Sequence, residues 1–355
     1  MSSLFRYFRA FDRRLALAGL LAFSLVGCSG DDDAAPVQSS ARVVKVLIIS
    51  MFSFERTAWE TGLSLSDKIS VPGLSPDYPE VACNADDVCV MTTGMGHANA
   101  AASLTALVYS DKLDLSKTYF LIAGIAGISP DQGTLGSVAW ARYLVDYGIA
   151  WELDARELPE GWKSGYFGIM TKGPGEKPPL DYRTEVFQLD EALLQKALAL
   201  SADLELDDSA EAIAFRANYP DGPANEPPKV IQCDTMAGDT WYAGTALAER
   251  AEDWTTLLTD GEGVYCTTQQ EDNASYEVLK RATAAGKLDV ERLAVLRSGS
   301  DFDRPYPGQT SSDGLVNYGE QGGFVPALSN LYKAGLPLVS EIVEHWSSWR
   351  EGVPD

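Results

Sequence analysis

Three carboxylates and two glycine-rich junctions are the parts of this chain whose residue types and positions can do chemistry. Asp301 ends the run Ser298-Gly299-Ser300-Asp301, at the close of an apolar segment. A carboxyl at the carboxyl end of a strand acts as a general acid when partial burial raises its pKa; a turn-forming or helix-capping Asp fits the same residues. Glu271 lies in Gln269-Gln270-Glu271-Asp272-Asn273-Ala274, within a helical stretch where an exposed carboxylate is the simplest role. Glu55 follows the first strand in Met51-Phe52-Ser53-Phe54-Glu55-Arg56, which reads as a solvated loop. Thr93-Gly94-Met95-Gly96-His97 joins a strand to a helix. Glycines there let the backbone approach a ligand and aim helix N-terminal amides at its oxygens. Gly124-Ile125-Ala126-Gly127 closes another strand, and Trp241, in Gly238-Asp239-Thr240-Trp241, can stack on a planar ligand or pack in a core.

Other chemistries are excluded. The Gly94 turn lacks the Gly-x-Gly-x-x-Gly spacing of a dinucleotide site, and no Walker A lysine motif occurs. Two histidines cannot make a three-histidine zinc site, and no Cys/His cluster has zinc-finger spacing, so neither metal nor cofactor is expected. With 28 Lys+Arg against 51 Asp+Glu the formal charge is −23, which argues against a nucleic-acid partner.

The elements that must position these residues read as α/β. Residues 43–50 (VVKVLIIS) form a near-continuous β-branched run, the mark of a strand buried on both faces. Further strands are expected at 88–92, 118–123, 138–145 and 293–297, with helices at about 97–110, 190–202, 244–253, 268–285 and 323–349. Strand, Gly-rich turn, helix, strand implies right-handed crossovers and a mostly parallel or mixed central sheet flanked by helices. Ligands bind such sheets at the carboxyl ends of the strands. A proline-punctuated stretch at about 152–230 reads as an insertion on this core rather than a separate domain.

The N-terminus reads as a leader. Arg6, Arg9, Arg13 and Arg14 precede a 13-residue apolar run, 15–27, which suits a signal peptide and is too short to span a bilayer. It ends Leu25-Val26-Gly27-Cys28, which resembles a bacterial lipobox; the alternative is an ordinary secretory signal with a chance cysteine. Lipidation at Cys28 would place the protein on the exported side of a membrane, behind a flexible tether at 28–41 and ahead of a single domain at 42–355. Loss of residues 1–27 removes four arginines and one aspartate and takes the charge to −26. Four cysteines remain, an even number that suits two disulfides in an exported chain, with four free thiols as the alternative. Cys83 and Cys89 bracket a turn-like sequence and pair locally; Cys233 and Cys266 are left for each other.

Taken together, the motifs resemble the purine nucleoside phosphorylase/nucleosidase superfamily. Residues 45–55 (KVLIISMFSFE) look like its first strand and loop, which implies a catalytic role for Glu55. Residues 93–101 (TGMGHANAA) and 124–127 resemble its glycine turns, implying that Thr93, Gly94, Gly96 and His97 border the substrate. Residues 237–241 (AGDTW) resemble the segment whose aromatic packs on the purine, here Trp241. Gln270-Glu271 with Ala274 resembles the motif whose Glu binds the ribose diol, and Ser300-Asp301 the pair whose acid protonates purine N7. The subfamily called purine nucleoside permease, in which GMGHANAA, an AGDTW-like stretch and SDFDRP recur, is similar over residues 41–350. Gln270 departs from the superfamily's Met, and the Glu271–Asp301 interval is long. Arg56 is the one arginine expected beside the Gly94 turn, so water is favoured over phosphate as acceptor. The resemblance implies a purine nucleoside partner, hydrolysed or only bound for uptake, and is compatible with a homodimer.

Overall fold

The computed structural model describes residues 41–354. Cys28, the expected leader and nearly all of the tether lie outside the described residues. Among the described residues, twelve strands join one mixed sheet organised around Tyr119–Ile128, a ten-residue strand buried for nearly all of its length. Leu293–Phe302 runs parallel to it along one edge, with Leu293 opposite Phe120 and Phe302 opposite Ile128. Val46–Ser50 runs parallel along the other edge as far as Ile49 opposite Ile122, and Val88–Thr92 lies beyond it. That second edge is taken up again only at Gly127 and Ile128, by the antiparallel strand Tyr265–Gln269. Residues 123–126 therefore face a gap in the sheet between two departing neighbours.

Helices cover both faces. Trp59 of Ser53–Gly62 packs in one core with Leu331, Ala334, Leu338 and Ile342 of Phe324–Glu344, whose three- and four-residue spacing makes one apolar stripe. Leu104 and Leu107 of His97–Val108 and Leu279 and Ala282 of Asp272–Ala284 fill the core on the opposite face. The disulfide Cys83–Cys89 closes the hairpin between Glu80–Cys83 and Val88–Thr92, and Cys233–Cys266 ties the segment before Asp234–Ala237 to Tyr265–Gln269. Both are the expected pairings. The first is shaped locally: the Asn84 side-chain oxygen accepts from the Asp86 and Val88 amides at 3.0 and 3.1 Å, an Asx turn.

Several expected boundaries shift. Gly124-Ile125-Ala126-Gly127 does not end its strand; the strand runs through to Ile128. Gly124 is needed for space rather than for turning, because a Cβ there would lie 2.0 Å from Met51 Cε and 2.4 Å from an Arg297 guanidinium nitrogen. Residues 268–285 are not one helix. Tyr265–Gln269 is a strand, hidden by its polar sequence YCTTQ, and the helix starts at Asp272. The last strand extends to Phe302, so Asp301 sits inside it. The runs 43–50 and 138–145 each break in two: Arg42–Val43 pairs with Leu113–Asp114 away from the main sheet, and Val138–Trp140 and Tyr143–Asp146 pair with different neighbours. Within 152–230, Val186–Gln188 adds a strand beside Tyr143–Asp146, and Glu191–Ser201 buries Leu193, Leu194 and Ala197 in the core.

Candidate active site

The gap at 123–126 opens into a cavity of about 480 Å³ lined by Ile125, Ala126 and Gly127 together with Glu55, Glu271, Arg297 and Asp301. The missing strand explains the first contact. Ile125 has a free amide on the gapped edge, and Glu55 Oε1 accepts from it at 2.8 Å. Glu55 Oε2 accepts from the Met51 amide at 2.7 Å and from Phe52 at 3.3 Å, so the carboxyl closes the N-terminus of its own helix. It is 1% exposed and not in a solvated loop, as its neighbours in sequence suggest. Burial pushes its pKa up to about 7, against the lowering pull of the Met51 amide, the Arg297 charge and the Ile125 amide.

Asp301 is 3% exposed, and Ser300 donates to its Oδ1 at 2.7 Å. Burial is again the main cause that lifts its pKa to about 7; the Ser300 hydrogen bond opposes, and the nearby Asp303 charge adds to the rise. Two carboxyls near neutrality in one cavity can split the roles of proton donor and proton acceptor.

Glu271 is buried at the head of the helix Asp272–Ala284 rather than on a helix surface. Its Oε1 accepts from the Gly96 amide at 2.9 Å and its Oε2 from Arg297 at 3.2 Å. Burial raises its pKa while Arg297 and the Gly96 amide oppose the rise. Each carboxylate oxygen has a second lone pair, so Glu271 keeps capacity to accept from a vicinal diol. The positive φ of Gly96, 93°, turns that amide inward at the start of its helix.

Arg297 escaped the sequence reading. It is fully buried in the middle of Leu293–Phe302, with Asp272 on Nε at 3.1 Å, Glu271 on one terminal nitrogen and the Ile125 carbonyl at 3.4 Å from the other. The signal was an arginine four residues before Asp301 in a strand otherwise apolar, because a buried guanidinium demands acidic partners. Among the described residues it is the one cationic side chain lining this cavity, and its charge is already shared by Glu271 and Asp272. Arg56 is turned away, donating to Glu60 at 2.9 Å and to the Glu80 carbonyl at 3.0 Å.

Trp241 lies on the cavity rim, 49% exposed, with its ring centroid 4.5 Å from that of Tyr318. Thr93 is buried, with its hydroxyl donating to the Gly94 carbonyl at 2.8 Å, and it does not join this lining. The Gly94 turn adjoins the cavity through Met95. His97 faces a second cavity, where its Nδ1 lies 3.2 Å from Asp239 and its Nε2 3.5 Å from Asp146. Burial works against the charged ring, but the two aspartates outweigh it and raise its pKa.

This architecture defines a class. The structure aligns with a 5′-methylthioadenosine/S-adenosylhomocysteine nucleosidase of S. pneumoniae at a TM-score of 0.51, 14% identical, over 83% of this chain and 98% of the other. A futalosine hydrolase of Helicobacter pylori aligns at 0.50, 14% identical, over 84% and 98%. The fold is thus the nucleoside phosphorylase/nucleosidase α/β fold. Within it, the chain belongs to the purine nucleoside permease family, whose profile matches residues 43–354. A probable purine nucleoside permease of Schizosaccharomyces pombe is 42% identical over 86% of this chain and 90% of its own length. A purine nucleoside permease of Candida albicans is 38% identical over 85% and 75%.

Proposed function

We propose that this protein binds purine nucleosides in the cavity beside Ile125 and hydrolyses their N-glycosidic bond. The observation that carries this is the pair of buried carboxyls, Glu55 and Asp301, both lifted to about 7 in one cavity that also holds Glu271. Glu271 accepts hydrogen bonds from the ribose diol, and Trp241 covers the base. Protonated Asp301 gives its proton to purine N7 as the C1′–N9 bond breaks, and the bonding electrons leave with the base. Ionised Glu55 takes a proton from water as the water oxygen bonds to C1′. The products are the free purine and ribose; solvent then returns a proton to Asp301 and removes one from Glu55. Acid and base assistance of this kind supplies roughly 10²–10⁴-fold each.

Water, not phosphate, is the acceptor in this proposal, because the Arg297 charge is already shared by Glu271 and Asp272 and the ionised Glu55 and Glu271 face an incoming anion. The test is release of free base from adenosine and inosine with and without phosphate. Ribose formed at a phosphate-independent rate is expected; ribose 1-phosphate formed only with phosphate would replace the hydrolase with a phosphorylase. The names of the fungal relatives favour a second reading, a nucleoside-binding component of uptake. Tight binding without turnover in either condition would select it.

A further inference from the structure

Two residues beyond Asp301, the sequence Asp303-Arg304 enters a buried polar cluster that the proposed mechanism does not use. Asp303 is fully buried, and each of its oxygens faces only donors. Arg304 Nε donates to Oδ1 at 2.9 Å, and Tyr265 donates to Oδ2 at 2.8 Å. Because Tyr265 gives its single proton to Asp303, the Tyr242 hydroxyl 2.8 Å away must donate to Tyr265. An acceptor so surrounded is a carboxylate. Burial raises the Asp303 pKa, but the Arg304 hydrogen bonds and charge oppose that rise, and a guanidinium does not yield its proton.

Arg304 does not neutralise Asp303 alone. It also donates to Glu252 at 2.7 Å and to Asp131 at 3.1 Å, so three carboxylates share one guanidinium. Glu252 and Asp131 are partly open to solvent, whereas Asp303 is not. Asp303 follows Asp301 by two residues, just past the end of the strand, so their backbones lie at most roughly 7 Å apart, and the Asp303 charge is one of the causes that raise the Asp301 pKa. The cluster also joins the segments that wall the cavity. Gly244, three residues after Trp241, donates its amide to the Asp303 carbonyl at 2.8 Å, and Tyr265 begins the strand that leads to Glu271.

We propose that Asp303, with Arg304 and its acidic partners, is a positioning cluster whose net negative charge keeps Asp301 in the proton-bearing form that the general acid requires. This deepens the hydrolase proposal and rests on Asp301 as the donor. Of the other charged groups of the cavity, Arg297 of the same strand is engaged by Glu271 and Asp272, and Glu55 by the Met51, Phe52 and Ile125 amides. Tyr242, Tyr265 and Tyr219 face Asp303 as neutral phenols, since burial raises each of them.

The test follows the infrared carbonyl band of protonated carboxyl groups against pH in the whole protein, with the Asp301 contribution assigned by its loss in Asp301→Asn. In the wild type that band should disappear with a midpoint near pH 7. In Asp303→Asn the midpoint should fall by about one pH unit, and the alkaline limb of base release should fall with it while KM holds. Should Asp303→Asn not fold, Glu252→Gln at its half-exposed helix position removes one charge of the cluster, and a smaller downward shift is expected. An unchanged Asp301 midpoint in the variants that fold would overturn the proposal. A shifted midpoint in a protein that never releases base would uphold the cluster and sink the hydrolase assignment instead.

Discussion

Asp301 illustrates how a single proton couples activity to stability. Its pKa is about 7 in the fold and near 4 in an unfolded chain, so between those values the folded state holds a proton that the unfolded state has lost. Stability from this group is therefore complete below about pH 4 and declines as pH rises through 7. The cost at alkaline pH is about 4 kcal/mol. Asp301→Asn should raise the melting temperature at pH 8 and change it little at pH 5, while abolishing base release and leaving nucleoside binding largely intact. A variant destabilised equally at both pH values would show that the carboxyl is not buried as a neutral acid. Glu55→Gln should also end turnover, since no base would remain for water, and the wild-type rate should peak near pH 7 with both limbs falling steeply. Trp241, half exposed against Tyr318, is the proposed cover of the base. Trp241→Ala should weaken nucleoside binding by roughly 1–3 kcal/mol, measured by titration calorimetry, and an unchanged Kd would remove it from the base-binding surface.

At the scale of elements, the site exists because the sheet is incomplete. Val46–Ser50 leaves the central strand after Ile122, Tyr265–Gln269 arrives at Gly127, and the side chains of Glu55 and Arg297 fill the interval. Gly124 makes room for them. Gly124→Ala would force Met51 and Arg297 aside, and an overpacked core typically loses 1–3 kcal/mol, about that range being expected in denaturant unfolding. Activity should fall by more than the stability loss alone explains, because Arg297 holds Glu271 and the added methyl would also lie 3.0 Å from Glu55 Oε1; unaltered stability would mean that these side-chain ends yield easily. Much of this was legible in the sequence. The apolar runs at 46–50 and 88–92, the Gly94 turn and the acidic residues after strands point to the correct end of the sheet. The polar strand Tyr265–Gln269 was not legible, because its second half, where Thr268 and Gln269 line the cavity, lacks the apolar alternation that marks a strand. Arg297 was hidden for a related reason: its meaning lies in Asp272 and Glu271, which only the packed structure brings to it. Thr93 and His97 show the reverse, since adjacency to a glycine turn does not decide which side of the wall a side chain faces.

For the whole molecule, charge and attachment matter most. A chain of formal charge −23 repels anions at long range, in keeping with an uncharged nucleoside as ligand. We also propose that Cys28 carries lipid and holds the protein to the exported side of a membrane through the tether at 28–41, which the leader 1–27 and the acidic run after Cys28 support. Wild-type protein should then partition into a detergent phase and Cys28→Ser into the aqueous phase. Equal partitioning of both into water would refute the anchor. Among the described residues no helix is long and apolar enough to cross a bilayer.

The amide of Ile125 offers a way to watch this chemistry without substrate. Most amides in a sheet are shielded from deuterium exchange by a neighbouring strand; this one is shielded by a titrating carboxyl group. A carboxylate accepts strongly from an amide, and the neutral acid accepts less well. Exchange at Ile125, corrected for its intrinsic pH dependence, should accordingly slow as pH rises through about 7, the value at which Glu55 gives up its proton. The backbone at the gap thus becomes an indicator of the Glu55 carboxyl, the proposed base, readable at one position while its strand-paired neighbours Ile122 and Ile128 keep time with global unfolding.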